Sequence, residues 1–250
     1  MAAVEGMAGL AKGLAVLEAF GNARAKLTIT DAAKMTDLSR ATARRCLLTL
    51  VDLGYLSFDG KFFAPTPRAL RLGNAYVDTT PLPQLAQPHL AAVREVVHES
   101  VSLAVYSGGE SFFVARSEVT RIVNTGVRVG ATLPAYASAT GHVLLGGLTE
   151  KELDDCLSQG PLRARTPRTP TGRSEIIDRV EKARRDGYAV TDEELEIGLR
   201  SIAVPVMDSR RQVAAAMSVS AFAARVSVDE MIARFLPPLR EHATLLGRMI

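Results

Sequence analysis

Apolar Leu10, Leu14 and Leu17, widened by Val16 and Phe20, recur at helical spacing near the start of the chain, and Gly21-Asn22 supplies a stop. That period predicts one amphipathic helix. Leu27-Thr28-Ile29 is a short β-prone stretch, after which Thr30 is placed to cap a second helix through Asp31-Ala32-Ala33-Lys34-Met35. After a polar break at Thr36-Asp37-Leu38, Ser39 can cap a longer helix from Arg40 to Leu53, ended by Gly54. At about 100° per residue, Ala43, Cys46, Leu47 and Leu50 share its core face; Arg45 projects opposite, flanked by Arg40 and Arg44. Tyr55 to Phe63 reads as two strands around Asp59-Gly60, a hairpin with Lys61 near its tip.

Pro65-Thr66-Pro67 interrupts helix and strand alike, and places a boundary after residue 66. Leu70, Leu72 and Tyr76 allow a linker helix within 67–83, which Pro81 and Pro83 separate from a further helix using Leu85, Leu90, Val93 and Val97. Residues 84–250 form the second body. Val101 to Tyr106 and Phe112-Phe113-Val114-Ala115, joined through Gly108-Gly109, predict a hairpin and hence antiparallel sheet. The stretch from Arg121 to Pro134 also reads as β structure, and a helix through Val143-Leu144-Leu145 follows the small residues Ser138 to Gly141. Glu150 to Leu157 forms an amphipathic helix, with Leu153, Cys156 and Leu157 on one stripe. Arg163 to Arg173 reads as a flexible surface loop, and Ser174 caps a helix using Ile177, Val180 and Ala183. From Ser227 to Ile250, Met231, Phe235, Leu239, Leu246 and Ile250 keep helical intervals, with Pro237-Pro238 bending or restarting the helix.

At 250 residues and 47% hydrophobic composition the chain can bury a real core. No apolar run approaches the roughly 20 residues of a membrane span, and the first residues lack the order of a secretory signal, so the cytoplasm is the expected location. Cys46 and Cys156 lie far apart with no Cys/His cluster, which predicts two buried thiols and neither a metal nor another cofactor. Charge is unevenly placed: residues 1–70 hold nine Lys/Arg against six Asp/Glu, whereas residues 71–250 hold 21 of each. A basic module in front of a neutral body suits phosphate attraction.

Candidate chemistry follows from these placements. A helix entering the major groove needs small residues for close approach and arginines that reach phosphates or guanine, which Ser39, Arg40, Ala41, Thr42, Arg44 and Arg45 supply. Thr28 and Lys61 complete the candidate DNA surface. A helix-helix-hairpin unit can equally dock a protein, though such a surface more often carries apolar anchors. In the second body, Ala139, Thr140 and Gly141 leave room for a carboxylate at a helix start, or pack closely there. Strand alternation sets Ala214, Ala216, Ser218 and Ser220 on a small, hydroxylated face and Val213, Met217 and Val219 on the reverse; the small face suits a pocket or a closely packed helix. Asp192 to Glu196 is acidic, read as solvated carboxylates in preference to a metal site. Cys156 with His142 would be the nucleophile and base of an enzyme, against which the apolar stripe around Cys156 argues.

Three segments give the chain a further likeness: Gly9-Leu10-Ala11-Lys12-Gly13-Leu14-Ala15-Val16-Leu17 with Arg44-Arg45-Cys46-Leu47, then Gly130 to Gly141, then Asp192 to Val206. Over nearly its whole length it resembles the IclR-type transcriptional regulators. Arg44-Arg45-Cys46-Leu47, Leu133-Pro134-Ala135-Tyr136 and Glu194-Leu195-Glu196 make it similar to the branch governing protocatechuate, 4-hydroxybenzoate and β-ketoadipate catabolism. The resemblance implies an α+β chain: a winged helix-turn-helix, a linker helix and a GAF-like α/β effector domain with an antiparallel sheet. It implies no enzyme, but a homodimer or tetramer that binds double-stranded promoter DNA in response to a small aromatic or dicarboxylic acid. Effector contacts carried over are Leu133, Ala139, Thr140, Ser201, Ser218 and Ser220, with Thr191 where some members hold an acidic residue. Arg121, Arg128 and His142 are secondary candidates for positive charge facing an acidic ligand. A GAF-like small-molecule enzyme and a two-domain adaptor that does not bind DNA are the alternatives.

Overall fold

Hydroxyl caps set the helix starts of the N-terminal unit. In the computed structural model, which describes residues 6–21, 25–120 and 127–250, the first three helices are α1 (Ala8–Glu18), α2 (Ile29–Thr36) and α3 (Arg40–Asp52). Thr28, not Thr30, caps α2: its side chain accepts from the Asp31 N–H while the Asp31 carboxylate accepts from the Thr28 N–H. The carboxylate three residues beyond the cap fixes that choice, because only Thr28 can form the reciprocal box with Asp31. Ser39 caps α3 as expected, accepting from the Thr42 N–H at 3.2 Å.

β1 (Leu56–Phe58) and β2 (Phe63–Pro65) form the wing, with Phe58 opposite Phe63. The turn is centred on Gly60-Lys61, one residue beyond the expected Asp59-Gly60, because Asp59 Oδ1 accepts the N–H groups of Lys61 and Phe62. Leu27 adds a third rung, exchanging backbone hydrogen bonds with Phe63. Val16, Leu27, Ala43, Leu47, Leu56 and Phe63 fill the small core. Of the expected α1 stripe only the C-terminal half reaches it; Leu10 and Leu14 are 61% and 45% exposed. Asn22, half of the expected stop, lies outside the described residues. A 3-10 turn (Pro67–Ala69) leads to α4 (Leu70–Thr79), which has no buried residue.

The chain divides into the compact units Met1–Thr80 and Pro81–Ile250. In the second, Pro83 lies in the first turn of α5 (Leu82–Val97) and does not precede the helix; a missing N–H is harmless there. The strands are β3 (Val101–Ser107), β4 (Glu110–Ser117), β5 (Thr132–Pro134), β6 (Ala189–Asp192), β7 (Leu199–Met207) and β8 (Val213–Phe222). They form one antiparallel sheet in the order β5-β4-β3-β8-β7-β6. Between Gly130 and Pro134 only β5 is strand, and Val127 to Gly130 is not, so the long strand expected from Arg121 is much shorter in the described part. The helices are α6 (Ala139–Leu145), α7 (Glu150–Ser158), α8 (Arg173–Asp186) and α9 (Val228–Gly247). The last runs through Pro237-Pro238 without restarting, and α8 buries Ile176 in place of the expected Ile177, matching Val180 and Ala183 at helical spacing. Among the described residues no helix is long and apolar enough to cross a membrane.

The sheet has two unlike faces. Ala215, Met217, Val219 and Ala221 of β8 join Val101, Leu103 and Ile202 in a core packed on α5 and α9. On the reverse, Ala216 packs with Ala139, Val143 and Leu144 of α6. Val213 departs from the expected alternation and packs on the α6 side, because a register shift at Val206/Met207 faces it. Close packing decides Gly141: a Cβ there would lie 2.0 Å from the Ala135 carbonyl oxygen. Gly141→Ala must displace backbone, and we expect a loss of roughly 1–3 kcal/mol in denaturant unfolding; unchanged stability would show that the contact yields freely.

Candidate functional site

On α3, Ser39, Arg40, Ala41, Arg44 and Arg45 are exposed and Thr42 is half-buried. Ala43 and Leu47 anchor the opposite face. Among the described residues Arg40, Arg44 and Arg45 have no ion-pair partner, whereas Arg94, Arg168, Arg173, Arg179, Arg184 and Arg200 of the second unit are each paired to carboxylates. Free cations on one short, small-residue helix are what a polyanion recognises. Thr28 is taken up by its capping box, with its hydroxyl 2.7 Å from Asp31 Oδ2. Lys61 is exposed at the wing turn, over the Phe62 ring.

A narrow cleft, its enclosed space little larger than a water molecule, lies on the α6 side of the sheet. All seven principal residues taken as effector contacts line it: Leu133, Ala139, Thr140, Thr191, Ser201, Ser218 and Ser220. Pairing register brings the hydroxyls together, since Ser201 stands opposite Ser220, Thr191 opposite Ser201, and Ser102 opposite Ser218. Ser201 and Ser220 Oγ atoms are 2.8 Å apart. Phe113, Val127, Leu195 and Leu199 add apolar wall, and Ser138, the cap of α6, lines the cavity as well. The small strand face is therefore shared: α6 covers Ala216, and the cavity opens over Ser218 and Ser220.

Two of the three expected cations, Arg128 and His142, are not at the cavity. Arg128 is exposed and absent from the lining, and Arg121 lies outside the described residues. His142 is 1% exposed and its Nε2 lies 2.8 Å from the Tyr136 carbonyl; burial, the largest influence, lowers its pKa to about 4, so the ring is neutral. Arg116 lines the cavity instead, its side chain 4% exposed, with Nη1 donating to Ser102 Oγ at 2.8 Å and Nε 2.9 Å from Glu118. Taking β4 to end at Ala115 hides it. The strand runs on to Ser117, and Ala115 and Phe113 oppose the consecutive Leu103 and Ala104. Val114 is thus an extra residue, which lets Phe113 and Arg116, three apart, face the same cavity.

The acidic run is only partly solvated: Glu196 is exposed, whereas Glu194 is buried and Asp192 and Glu193 are half-buried. Its Leu195, with Leu199 just beyond it, lines one side of the cavity, and ion pairs hold the run from outside. Glu194 is 5% exposed and 2.6 Å from Arg179; burial raises its carboxyl and Arg179 opposes that shift. Arg168 reaches Asp192 and Glu193, and Arg200 reaches Asp192. The supposedly flexible loop supplies buried Thr166 and Thr169, which donate to the Glu193 and Glu194 carbonyls. Both cysteines are half-buried free thiols. Cys156 hydrogen-bonds Tyr106, whose phenol burial and that thiol push up to about 12, while His142 is engaged by Tyr136. The imagined nucleophile and base therefore have other partners.

Two family models match: the C-terminal domain of bacterial IclR transcriptional regulators over residues 74–248, and the IclR helix-turn-helix domain over residues 9–60. The chain is 41% identical over 234 residues to the Pca regulon regulatory protein of Pseudomonas putida, covering 93% of this chain and 80% of the relative. It is 36% identical over 249 residues to the p-hydroxybenzoate hydroxylase transcriptional activator of Acinetobacter baylyi, covering 98% and 92%. A crystal structure of an IclR homologue complexed with 4-hydroxybenzoate, from Microbacterium hydrocarbonoxydans, superposes with a TM-score of 0.78 at 28% identity over 96% and 98% of the two chains.

Neutral burial of His142 has a pH signature. With its folded pKa at about 4 against an ordinary 6.5, the unfolded chain binds the extra proton between those values, so this stabilisation is complete above pH 6.5 and lost as pH falls toward 4. The loss amounts to roughly 3 kcal/mol. Stability of wild type relative to His142→Gln should fall over that window; a difference flat with pH would contradict it.

Proposed function

The chain belongs to the IclR family of bacterial transcriptional regulators, and we propose that it controls aromatic-acid catabolism by binding promoter DNA in response to a small organic acid. What carries the aromatic part is its likeness to regulators named for the Pca regulon and for p-hydroxybenzoate hydroxylase, together with a fold shared with a 4-hydroxybenzoate complex. The chemistry of the cavity supports it: among the described residues a hydroxylated floor, apolar walls and the Arg116 cation suit a small, partly apolar acid.

DNA reading falls to the start of α3. Arg40, Arg44 and Arg45 project without ion-pair partners among the described residues; Ala41 lets the helix approach closely, and Ser39 and Thr42 add hydroxyls. Lys61 extends the contact from the wing, while Thr28 acts by fixing the start of α2. The protein works in the cytoplasm as a homo-oligomer on partly palindromic sites, as twofold operators require. Leu133, Ala139, Thr140, Thr191, Ser201, Ser218 and Ser220 contact the effector.

Promoter DNA selected by the wild-type protein from a random pool supplies the test. Arg40→Ala and Arg45→Ala should each lower affinity about tenfold or more in gel shifts, with thermal midpoint and effector binding unchanged. Wild-type affinity should also fall linearly with salt on logarithmic axes. Unaltered affinity in both variants would remove α3 as the reading helix.

A further inference from the structure

On the face of the sheet opposite α6, helices α5 and α9 bring two histidines together. His89 of α5 and His242 of α9 are 153 residues apart in sequence, yet their Nδ1 atoms lie 3.1 Å from each other. Their rings meet at 61° with centroids 5.4 Å apart. Both are half-buried, and among the described residues neither has another hydrogen-bond or ion-pair partner. Positions three and four residues away on either helix are all apolar, from Leu85 and Val93 beside His89 to Leu239 and Leu246 beside His242. No carboxylate on the adjoining turns therefore favours charged rings, and burial, then the neighbouring His242, lowers the pKa of His89. At neutral pH these are two neutral imidazoles with one proton between their Nδ1 atoms: one ring donates and the other accepts.

We propose that His89 and His242 form a chelating site for a divalent transition metal of the zinc or nickel type, with water completing its shell. Imidazole nitrogens bind such ions at about 2.0–2.1 Å. Two of them stand about 2.9 Å apart when they meet the metal at a right angle and about 3.4 Å apart at the tetrahedral angle. The observed 3.1 Å falls between these values, so the two ligands are already spaced for the ion. The ring that carries its proton on Nδ1 passes it through solvent to its own Nε2, freeing both Nδ1 lone pairs, and the neutral pair takes up the metal without net proton release. Magnesium, a hard ion that demands oxygen donors, is not served by two imidazoles. Because α5 and α9 pack on one shared core, an ion held by both fastens them together and stabilises the folded unit. The site is independent of the effector cavity, which lies on the other face of the sheet.

Calorimetric titration of the metal-stripped full chain with Ni²⁺, Zn²⁺ and Mg²⁺, together with thermal melts, tests this. Wild type should bind one equivalent of Ni²⁺ or Zn²⁺, ignore Mg²⁺, and melt about 5 °C or more higher at saturating Ni²⁺. His89→Gln and His242→Gln should each weaken Ni²⁺ binding at least about tenfold and abolish the rise in midpoint. If one variant does not fold, the other decides, because either substitution breaks the chelate. A folded variant that keeps wild-type Ni²⁺ affinity would place the metal elsewhere on the chain and overturn the site. Failure of the wild type to bind either transition metal would overturn it too, as would an equal response to Mg²⁺.

Discussion

The register of β8 between β3 and β7 is the constraint on which the second unit depends. Side chains alternate strictly along a strand, so a slip of one residue would turn Met217 and Val219 toward the cavity and drive Ser218 and Ser220 into the core against α5 and α9. Burying those hydroxyls without partners would cost a few kcal/mol each, and the exposed apolar side chains would lose their burial as well. The same alternation that stabilises the sheet therefore places Ser218 beside Ser102, and Ser220 beside Ser201. Binding chemistry and folding are specified by one pairing pattern.

Charge is allocated differently in the two units. In the second, several arginines hold structure, though others such as Arg128, Arg210 and Arg248 have no ion pair among the described residues: Arg179, Arg168 and Arg200 fix the acidic segment beside the cavity, and Arg116 is turned inward and clamped. In the first, the arginines of α3 are left exposed and unpaired among the described residues, on a helix whose core needs are met by Ala43 and Leu47. The chain's excess of positive charge, confined to its first seventy residues, is thus available to a partner and not consumed internally.

Much of this was legible in the sequence. Period fixed most elements, the Ser39 cap located α3, and alternation in β8 exposed the serine face, because each depends on neighbours along the chain. Resemblance added Leu133, Thr191 and Ser201, which no local pattern singles out. What escaped was nonlocal. The bulge at Val114 that aims Arg116 inward exists only when β4 is paired with β3, and the burial of Glu194 is visible only once Arg179 is packed beside it. His142 was misjudged as a cation for a similar reason: its charge state is set by how completely the structure encloses it. The exposed half of the α1 stripe shows that a helical period reports amphipathicity without naming what covers it.

Occupying a cavity changes DNA binding only if the effector has different affinities for the DNA-competent and DNA-incompetent states, and any such coupling is reciprocal. The direct measurement is a closed cycle on the full chain: promoter affinity with and without saturating 4-hydroxybenzoate, and 4-hydroxybenzoate affinity with and without promoter DNA. An effector-responsive regulator gives the same factor on both legs, well removed from one. A factor of one on both legs, with each ligand still bound, would contradict it.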